Sequence, residues 1–368
     1  MIDEWRVLVA RTTTGQIVGD IRISDVPKFE RRISDPGSYT VEVYLGTGAN
    51  TAADLHEFTE TGAYSWVVCY GDHVVQAGPV RTWQFTDSAR TLSVSGAGIG
   101  SEFDRRVLRN PRGHTAITDP SEDLVLRDLS VRGLMGELVR ANLAQRGYGL
   151  PIVLPEPEPG PESVTYYGYD LANVWERLRD LSTREDGPEF EFQPRLVDGG
   201  TRVEWVLDLG DPLLGARDTA LVWDYGAAIG AIDLDIDGSR TPAARVWVKG
   251  AGGGRDLLTG VAAVDRPGTP PVDVVNTEHV SERRQDVLDS YARASLAAGQ
   301  APGTRWETHL RLDKPGSGLD DWALGDAPTI AISRHPWLAD GIYRRRVTGF
   351  SDASATEIAL DLDVMPPP

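Results

Sequence analysis

Strict alternation of apolar and polar residues limits what this chain can become more than any other feature. AIDLDID (residues 231 to 237) puts Ile232, Leu234 and Ile236 on one face and Asp233, Asp235 and Asp237 on the other, and IALDLDV (358 to 364) repeats the pattern near the C-terminus. A period of two belongs to a strand with one buried and one wet face, because successive side chains of a pleated backbone point to opposite sides. The first run also spaces Asp233, Asp235, Asp237 and Gly238 like the opening of an EF-hand calcium loop. Such a loop needs a bidentate glutamate at its twelfth position and a helix on each side, whereas the twelfth residue here is Ala244 and the flanks alternate as strands do. The expectation is an acidic-faced strand and no metal.

The same pattern recurs along the chain. WRVLVAR, QIVGDIRIS and SYTVEVYLG read as strands, WVVCY and HVVQAG as a hairpin across Gly71 and Asp72, and VRTWQFT with TLSVSG as a second across Asp87 to Arg90. Two helices are expected next. One lies in DLSVRGLMGELVRANLAQRGYG and the other in YDLANVWERLRDLSTREDG, with Asp170 as N-cap and Leu171, Val174, Trp175, Leu178 and Leu181 on one face. LPEPEPGPES between them is too rich in proline for a helix or a central strand and reads as an extended connection. EFEFQPRLV and TRVEWVLDLG form a further hairpin over Asp198 to Gly200, with Phe190 and Phe192 on one side and Glu189 and Glu191 on the other. LVWDYG, AIDLDID and ARVWVKG are strands; a last helix runs from Ser281 to Gly299; RWETHLRLD, APTIAIS, YRRRVTGF and TEIALDLDV close the chain. The order strands, helices, strands, helix, strands gives an α+β fold, mainly β, with two β-rich units and helical insertions. With 39 Gly and 24 Pro in 368 residues, turns are favoured over long helices.

Charge and cysteine content exclude several classes of function. A net charge of -18 opposes a duplex-binding surface, which needs Lys and Arg to neutralise phosphates. Lys28, Lys249 and Lys314 are the only lysines, so the other basic residues are all arginine. Arg344 to Arg346 alternate sides along a strand and present no continuous basic face. A lone cysteine, Cys69, in the apolar run SWVVCYG, allows neither an internal disulfide nor a cysteine zinc site and reads as core. No signal-peptide h-region is expected at the N-terminus and no run reaches membrane-spanning length, so no membrane partner is expected.

Motifs that could carry chemistry are incomplete. SGAGIGSEFDRR places Gly96, Gly98 and Gly100 after a strand, but no parallel strand bearing a ribose-binding acid follows. GAGGGRD (250 to 256) lacks the lysine and hydroxyl of a phosphate loop. His56, His73, His114, His279, His309 and His335 show no metal-ligand spacing, and Gly316-Ser317-Gly318 is not a nucleophile elbow. Glu189 and Glu191 share a strand face as a glycosidase pair might, yet that face opposes two phenylalanines and reads as solvated. No catalytic, cofactor-binding or metal residue is expected, and no enzyme.

Taken in order, ISDPGSYTVEVYL, WVVCYGDHVVQAGPV, TLSVSGAGIGSEFDRRVL, DLANVWERLRDLSTREDGPEFEFQPRL and LGDAPTIAIS resemble a minor tail protein of a long-tailed phage, the hub at the tail tip, over nearly the whole chain. The arginine-heavy composition suits a siphovirus of a high-GC actinobacterial host. The resemblance implies two similar β-barrel domains with small α/β insertions: residues 1 to 115 the first barrel, 116 to 200 a helix-rich α/β insertion, 201 to 262 with 301 to 368 the second barrel, and 263 to 300 a loop and helix insertion. It implies a homotrimer around a channel, synthesised in the host cytoplasm and placed at the virion tail tip. Its partners there would be the distal tail ring, tape measure and tip or receptor-binding proteins, with DNA passing but not retained. The rival reading is a carbohydrate-binding module or soluble enzyme acting on cell-wall glycan, with tryptophans as sugar platforms. Trp66, Trp83, Trp205 and Trp247 lie in strand runs, where large aromatics are expected to pack a core.

Overall fold

Thirteen strands from the two ends of the chain join into one sheet. The computed structural model describes residues 4–45, 51–113, 116–236, 243–268, 270–298 and 304–365. From the N-terminal end come β1 (Trp5–Arg11), β2 (Ile17–Ile21), β3 (Lys28–Arg32), β4 (Ser38–Tyr44), β5 (Tyr64–Tyr70), β6 (His73–Thr86) and β7 (Thr91–Ala97), with helix α1 (Ala52–Phe58) between β4 and β5. Three small sheets and three helices are inserted: β8 (Leu124–Leu129), α2 (Val131–Leu143), β9 (Ile152–Val153), β10 (Glu162–Tyr166), α3 (Val174–Ser182), β11 (Phe190–Val197), β12 (Arg202–Leu209), then β15 (Arg245–Lys249), β16 (Thr259–Ala263), β17 (Asp273–Asn276) and α4 (Gln285–Ala298). The C-terminal end supplies β13 (Val222–Asp224), β14 (Ile229–Ile236), β18 (Thr304–Arg311), β19 (Thr329–Ile332), β20 (Gly341–Asp352) and β21 (Glu357–Val364). The path runs β14-β18-β21-β20-β3-β4-β7-β6-β5-β1-β2, with β13 and β19 attached to β20. The chain is α+β and mainly β.

One ladder joins the two ends. β20 pairs antiparallel with β3, Phe350 opposite Arg31 and Gly349 opposite Arg32. A shared core lies beneath it, including Val41, Trp66 and Val94 from one end and Trp223, Trp306 and Leu360 from the other. Aromatic rings cross the joint in a chain: Trp5 to Phe29 at 5.6 Å, Phe29 to Phe350 at 5.9 Å, Phe350 to Trp322 at 5.3 Å and Trp322 to Trp223 at 6.2 Å between centroids. Tilted and edge-on contacts of this kind add about 0.5–1.5 kcal/mol each beyond burial.

Hairpins follow the turn residues. β5 and β6 meet across Gly71 and Asp72, with Tyr70 opposite His73 and Gly71 at φ +57°. β6 and β7 meet across residues 87 to 90, and β11 and β12 across 198 to 200. Several expectations are corrected. β3 (KFERR) and β8 (LVLRDL) are strands that alternation over so few residues did not announce. The strand TRVEWVLDLG pairs with β11 and β9, and ARVWVKG pairs with β16 and β17, so neither joins the sheet of the C-terminal end. The last helix starts at Gln285 rather than Ser281, because the Glu282 carboxylate accepts from the amides of Arg283 and Arg284 and fixes a turn ahead of it.

The second helix begins later than its sequence suggests. Asp170 ends a short 3-10 turn, Leu171 is exposed in a left-handed conformation at φ 45°, and Asn173 is the N-cap, its side chain accepting from the Glu176 amide at 3.0 Å. Asn173→Ala is expected to cost about 1 kcal/mol in chemical denaturation and Asp170→Ala less than about 0.5 kcal/mol. The reverse ranking would restore Asp170 as the cap.

Candidate functional site

Where the two ends and the inserted hairpin meet, charge is buried. Glu189 immediately precedes β11 and Glu191 lies on it, so both carboxylates project from one face of the strand. The other face is aromatic: Phe190 packs on Trp175 at 5.2 Å and Phe192 stacks on Phe103 at 5.2 Å, anchoring β11 to the helical insertion. The carboxylate face, which its alternation gave as solvated, is mostly turned away from solvent, the Glu189 and Glu191 side chains being 20% and 10% exposed. It meets Arg31 of β3 and Arg346 of β20, which are only 6% and 4% exposed. The two guanidinium groups supply the compensation that water would have supplied at a surface.

Arg346 is held in a cage. Its Nη1 donates to Glu189 Oε1 at 2.7 Å, its Nη2 to Glu189 Oε2 and to the Leu214 carbonyl at 3.0 Å, and its Nε to the Gly325 carbonyl at 3.1 Å. Glu189 Oε2 also accepts from the Leu214 amide at 2.9 Å. A bidentate guanidinium–carboxylate pair with two further donors held by backbone carbonyls is the arrangement that makes a buried charge tolerable. Two glycines allow the backbone to close around it. Gly215 sits at φ +72° and Gly325 at φ +90°, and a Cβ on Gly325 would lie 2.1 Å from the Leu214 carbonyl oxygen.

Arg31 makes the second link. Its Nη2 donates to Glu191 Oε1, its Nη1 donates to the Val75 carbonyl at 3.3 Å, and its guanidinium lies 5.3 Å from the centroid of the Phe350 ring. A cavity of about 20 Å³ lies against Arg31, His73, Glu191, Trp322 and Phe350, room for a single water. His73 is at its rim, Nδ1 at 2.9 Å from Asp320 Oδ1. Burial lowers the pKa of His73, outweighing the opposite effect of Asp320. Glu189 and Glu191, the pair that resembled glycosidase carboxylates, are each committed to an arginine. The arrangement is a clamp that fastens β11 to both ends of the chain.

Other candidates are dispersed. Arg344 pairs with Asp218 and Arg345 lies over Trp306 at 4.1 Å, so the three consecutive arginines do alternate sides. The Cys69 thiol is buried and its pKa is pushed up to about 12 by that burial. Trp66 and Trp205 are fully buried, but Trp83 is 48% exposed, on the end of β6 where every residue from Thr82 to Thr86 is exposed. Trp247 is half-buried on a small sheet. Asp233 is exposed on β14, while Asp237, Gly238 and His114 lie outside the described residues. Ser317 is buried with its hydroxyl donating to the Arg311 and Lys314 carbonyls. β7 is antiparallel to both neighbours, unlike the strand of a dinucleotide loop. Among the described residues no three His, Cys, Asp or Glu side chains gather into a metal-holding group. Sequence reasoning missed Arg31; its signal was the pairing of Phe29 and Arg31 on one face of KFERR, where both are buried.

No family model matches this sequence, and no curated protein does. Solved structures do. The 43 kDa tail protein of prophage MuSo2 from Shewanella oneidensis matches with a TM-score of 0.59 at 12% identity, covering 98% of this chain and 98% of that one. The fold is shared with phage tail proteins. A tail protein from Neisseria meningitidis MC58 matches with a TM-score of 0.59 at 14% identity, covering 98% of this chain and 96% of that one. A chain from the lidless PdpA–VgrG complex matches with a TM-score of 0.50 at 8% identity, covering 99% of this chain and 66% of that one. At such identities the likeness establishes architecture, and the tail-protein architecture includes the insertions as well as the large sheet.

Proposed function

We propose that this chain is a structural hub at the tip of a phage tail, joining the tail tube to the tip complex and forming part of the path for DNA. The observation that carries the reading is the end-to-end likeness to two tail proteins, which extends over 98% of this chain in each case. Under it the chain assembles as a homotrimer whose two β-rich ends act as paired barrel units, with the distal tail ring, tape measure and tip proteins as neighbours. The phage is a siphovirus of an actinobacterial host, the chain is made in the host cytoplasm, and its role is architectural rather than catalytic. A net charge of -18 suits a channel wall, since negative walls do not hold phosphates. The glycan-binding reading finds less support: Trp83 lies on β6 and Trp337 in the β19–β20 loop, four strand positions apart in the sheet order from β20 to β6.

Immunogold labelling of purified virions with antibody to this chain tests the placement, with label expected at the tail tip. Label on the capsid, or none on intact and tip-exposed particles, overturns it. An anisotropy titration with duplex DNA at roughly 150 mM salt should show binding no tighter than about 10⁻⁴ M. Micromolar retention would remove the non-binding channel while leaving the placement intact.

A further inference from the structure

The small sheet β16–β15–β17 and α4 form an arm with a core of its own. Val246, Val248 and Ala262 pack on Val287, Leu288, Tyr291 and Ala292, and no residue of this cluster belongs to the core of the helical insertion around α2 and α3. Where the arm meets that insertion the contacts are polar. The Tyr291 hydroxyl donates to the Asp180 carbonyl at 2.9 Å, and the Ser290 hydroxyl accepts from the Glu185 amide at 2.9 Å. Arg293 Nε donates to Glu185 Oε2 at 2.6 Å, and Arg284 Nη1 lies 3.6 Å from Glu162 Oε2. A joint of this kind lets one part move against another, because water can replace each of its bonds.

A titratable ring is buried in that joint. His279, in the turn between β17 and α4, is 8% exposed. Its imidazole lies flat on the Tyr291 ring, with centroids 3.6 Å apart and planes 6° apart. Across the joint it faces Asp180 of α3, Nδ1 at 3.8 Å from Oδ1, which is too far for a hydrogen bond. That carboxylate is already committed, its Oδ2 accepting from Arg177 Nη1 at 2.7 Å. The other charges around the ring are Glu278 and Glu282 from its own turn and Arg177 from α3, while Arg184 stands against Tyr291 and Asp180. A proton on His279 would therefore place a cation in a slot whose facing carboxylate is out of hydrogen-bond reach and shared with an arginine.

We propose that this joint is a latch that acid opens, with His279 as its trigger. A buried charge without close compensation is costly, and swinging the arm away from α3 gives the imidazolium water. Burial lowers the pKa of His279, outweighing Asp180, Glu278 and Glu282, which raise it. The docked arm thus binds fewer protons than the free one. Closure is fully present above the ordinary imidazole value of about 6.5 and is lost as pH falls from there toward the docked value. Asp180 works with the opposite sign. Burial raises its pKa, outweighing Arg177, His279 and Arg184, so it takes a proton more readily under the arm than in water and acid favours closure again in the carboxylate range. Opening is therefore greatest between that range and about pH 6.5. The latch is independent of where the chain sits in a virion.

Distances between pairs of spin labels on the full chain test the latch. Labels at Arg179→Cys on α3 and Ala297→Cys on α4, both exposed positions, span the joint, and the native Cys69 is buried and leaves them the reactive thiols. Labels at Arg127→Cys on β8 and Arg179→Cys stay within the helical insertion and report general unfolding. At about pH 7.5 one distance across the joint is expected. From about pH 7 down to about pH 5.5 a longer one should appear and grow against the first by up to about tenfold per pH unit, the limit for one titrating group, while the control pair stays fixed. His279→Gln, which cannot take up the proton, should give a distribution that does not move with pH. A wild type whose distance is unchanged over that range, a His279→Gln variant that opens with acid as wild type does, or movement of both label pairs together overturns the proposal.

Discussion

Glu189→Ala is expected to destabilise the protein by about 3–5 kcal/mol, because it leaves the Arg346 guanidinium buried without its counter-charge. Arg346 is 4% exposed, so little water reaches the guanidinium to soften the loss. Chemical denaturation monitored by tryptophan fluorescence measures it. The double variant Glu189→Leu/Arg346→Met is expected to recover most of the loss, since apolar groups of similar volume are often no worse than a buried ion pair. A loss below about 1 kcal/mol in the single variant, the range of an exposed pair, would mean that the junction is wetter than its burial shows and that the clamp is not what fastens β11.

Gly325→Ala is expected to cost about 3 kcal/mol or more, from two sources that a control separates. A left-handed backbone conformation costs a non-glycine residue about 1–2 kcal/mol. Gly325 has that conformation at φ +90°, and its added methyl would also sit 2.1 Å from the Leu214 carbonyl oxygen, which accepts one of the Arg346 hydrogen bonds. Gly199, at φ +67° with nothing within 4 Å of an added Cβ, supplies the strain without the collision. Gly199→Ala should therefore fall in the about 1–2 kcal/mol range. Equal losses at the two positions would show that the backbone around Arg346 gives way easily. In that case the cage would be a loose packing of loops.

Local chemistry made much of the fold readable. The hairpins across Gly71–Asp72 and 198 to 200 are written in adjacent residues, and so is the α2 face that buries Leu134 and Leu138. β3 was not readable, because in five residues the alternation of Phe29 and Arg31 with Lys28, Glu30 and Arg32 looks like a charged loop. The clamp was hidden for a different reason. Alternating Glu and Phe on β11 has the same pattern whether the glutamates face water or arginine, and their partners lie 157 and 160 residues away. Periodicity says which side chains share a face and nothing about what that face meets. Asn173 shows the limit at single-residue scale: both it and Asp170 have capping chemistry, and only the left-handed turn at Leu171 puts the helix start at the later one.

The ladder between β3 and β20 also sets a timetable for synthesis. The Phe29 amide donates to the Asp352 carboxylate at 2.9 Å, a contact between residues 323 apart in the chain. At ribosomal rates of about 5–20 residues per second, roughly 15 to 60 s separate the emergence of β3 from that of the strand that completes it. Throughout that interval β3 is a naked edge of the nascent sheet, at the opposite end from β2. The residues there are Lys28, Glu30 and Arg32, with the apolar Phe29 alone between the first two. Charges on an unfinished edge discourage pairing with a neighbouring nascent chain, and on a polysome such neighbours are close. The polar residues that hid β3 from a reading by periodicity thus serve the chain before it has finished folding, by keeping the edge unattractive to every strand except one of its own that has not yet been made.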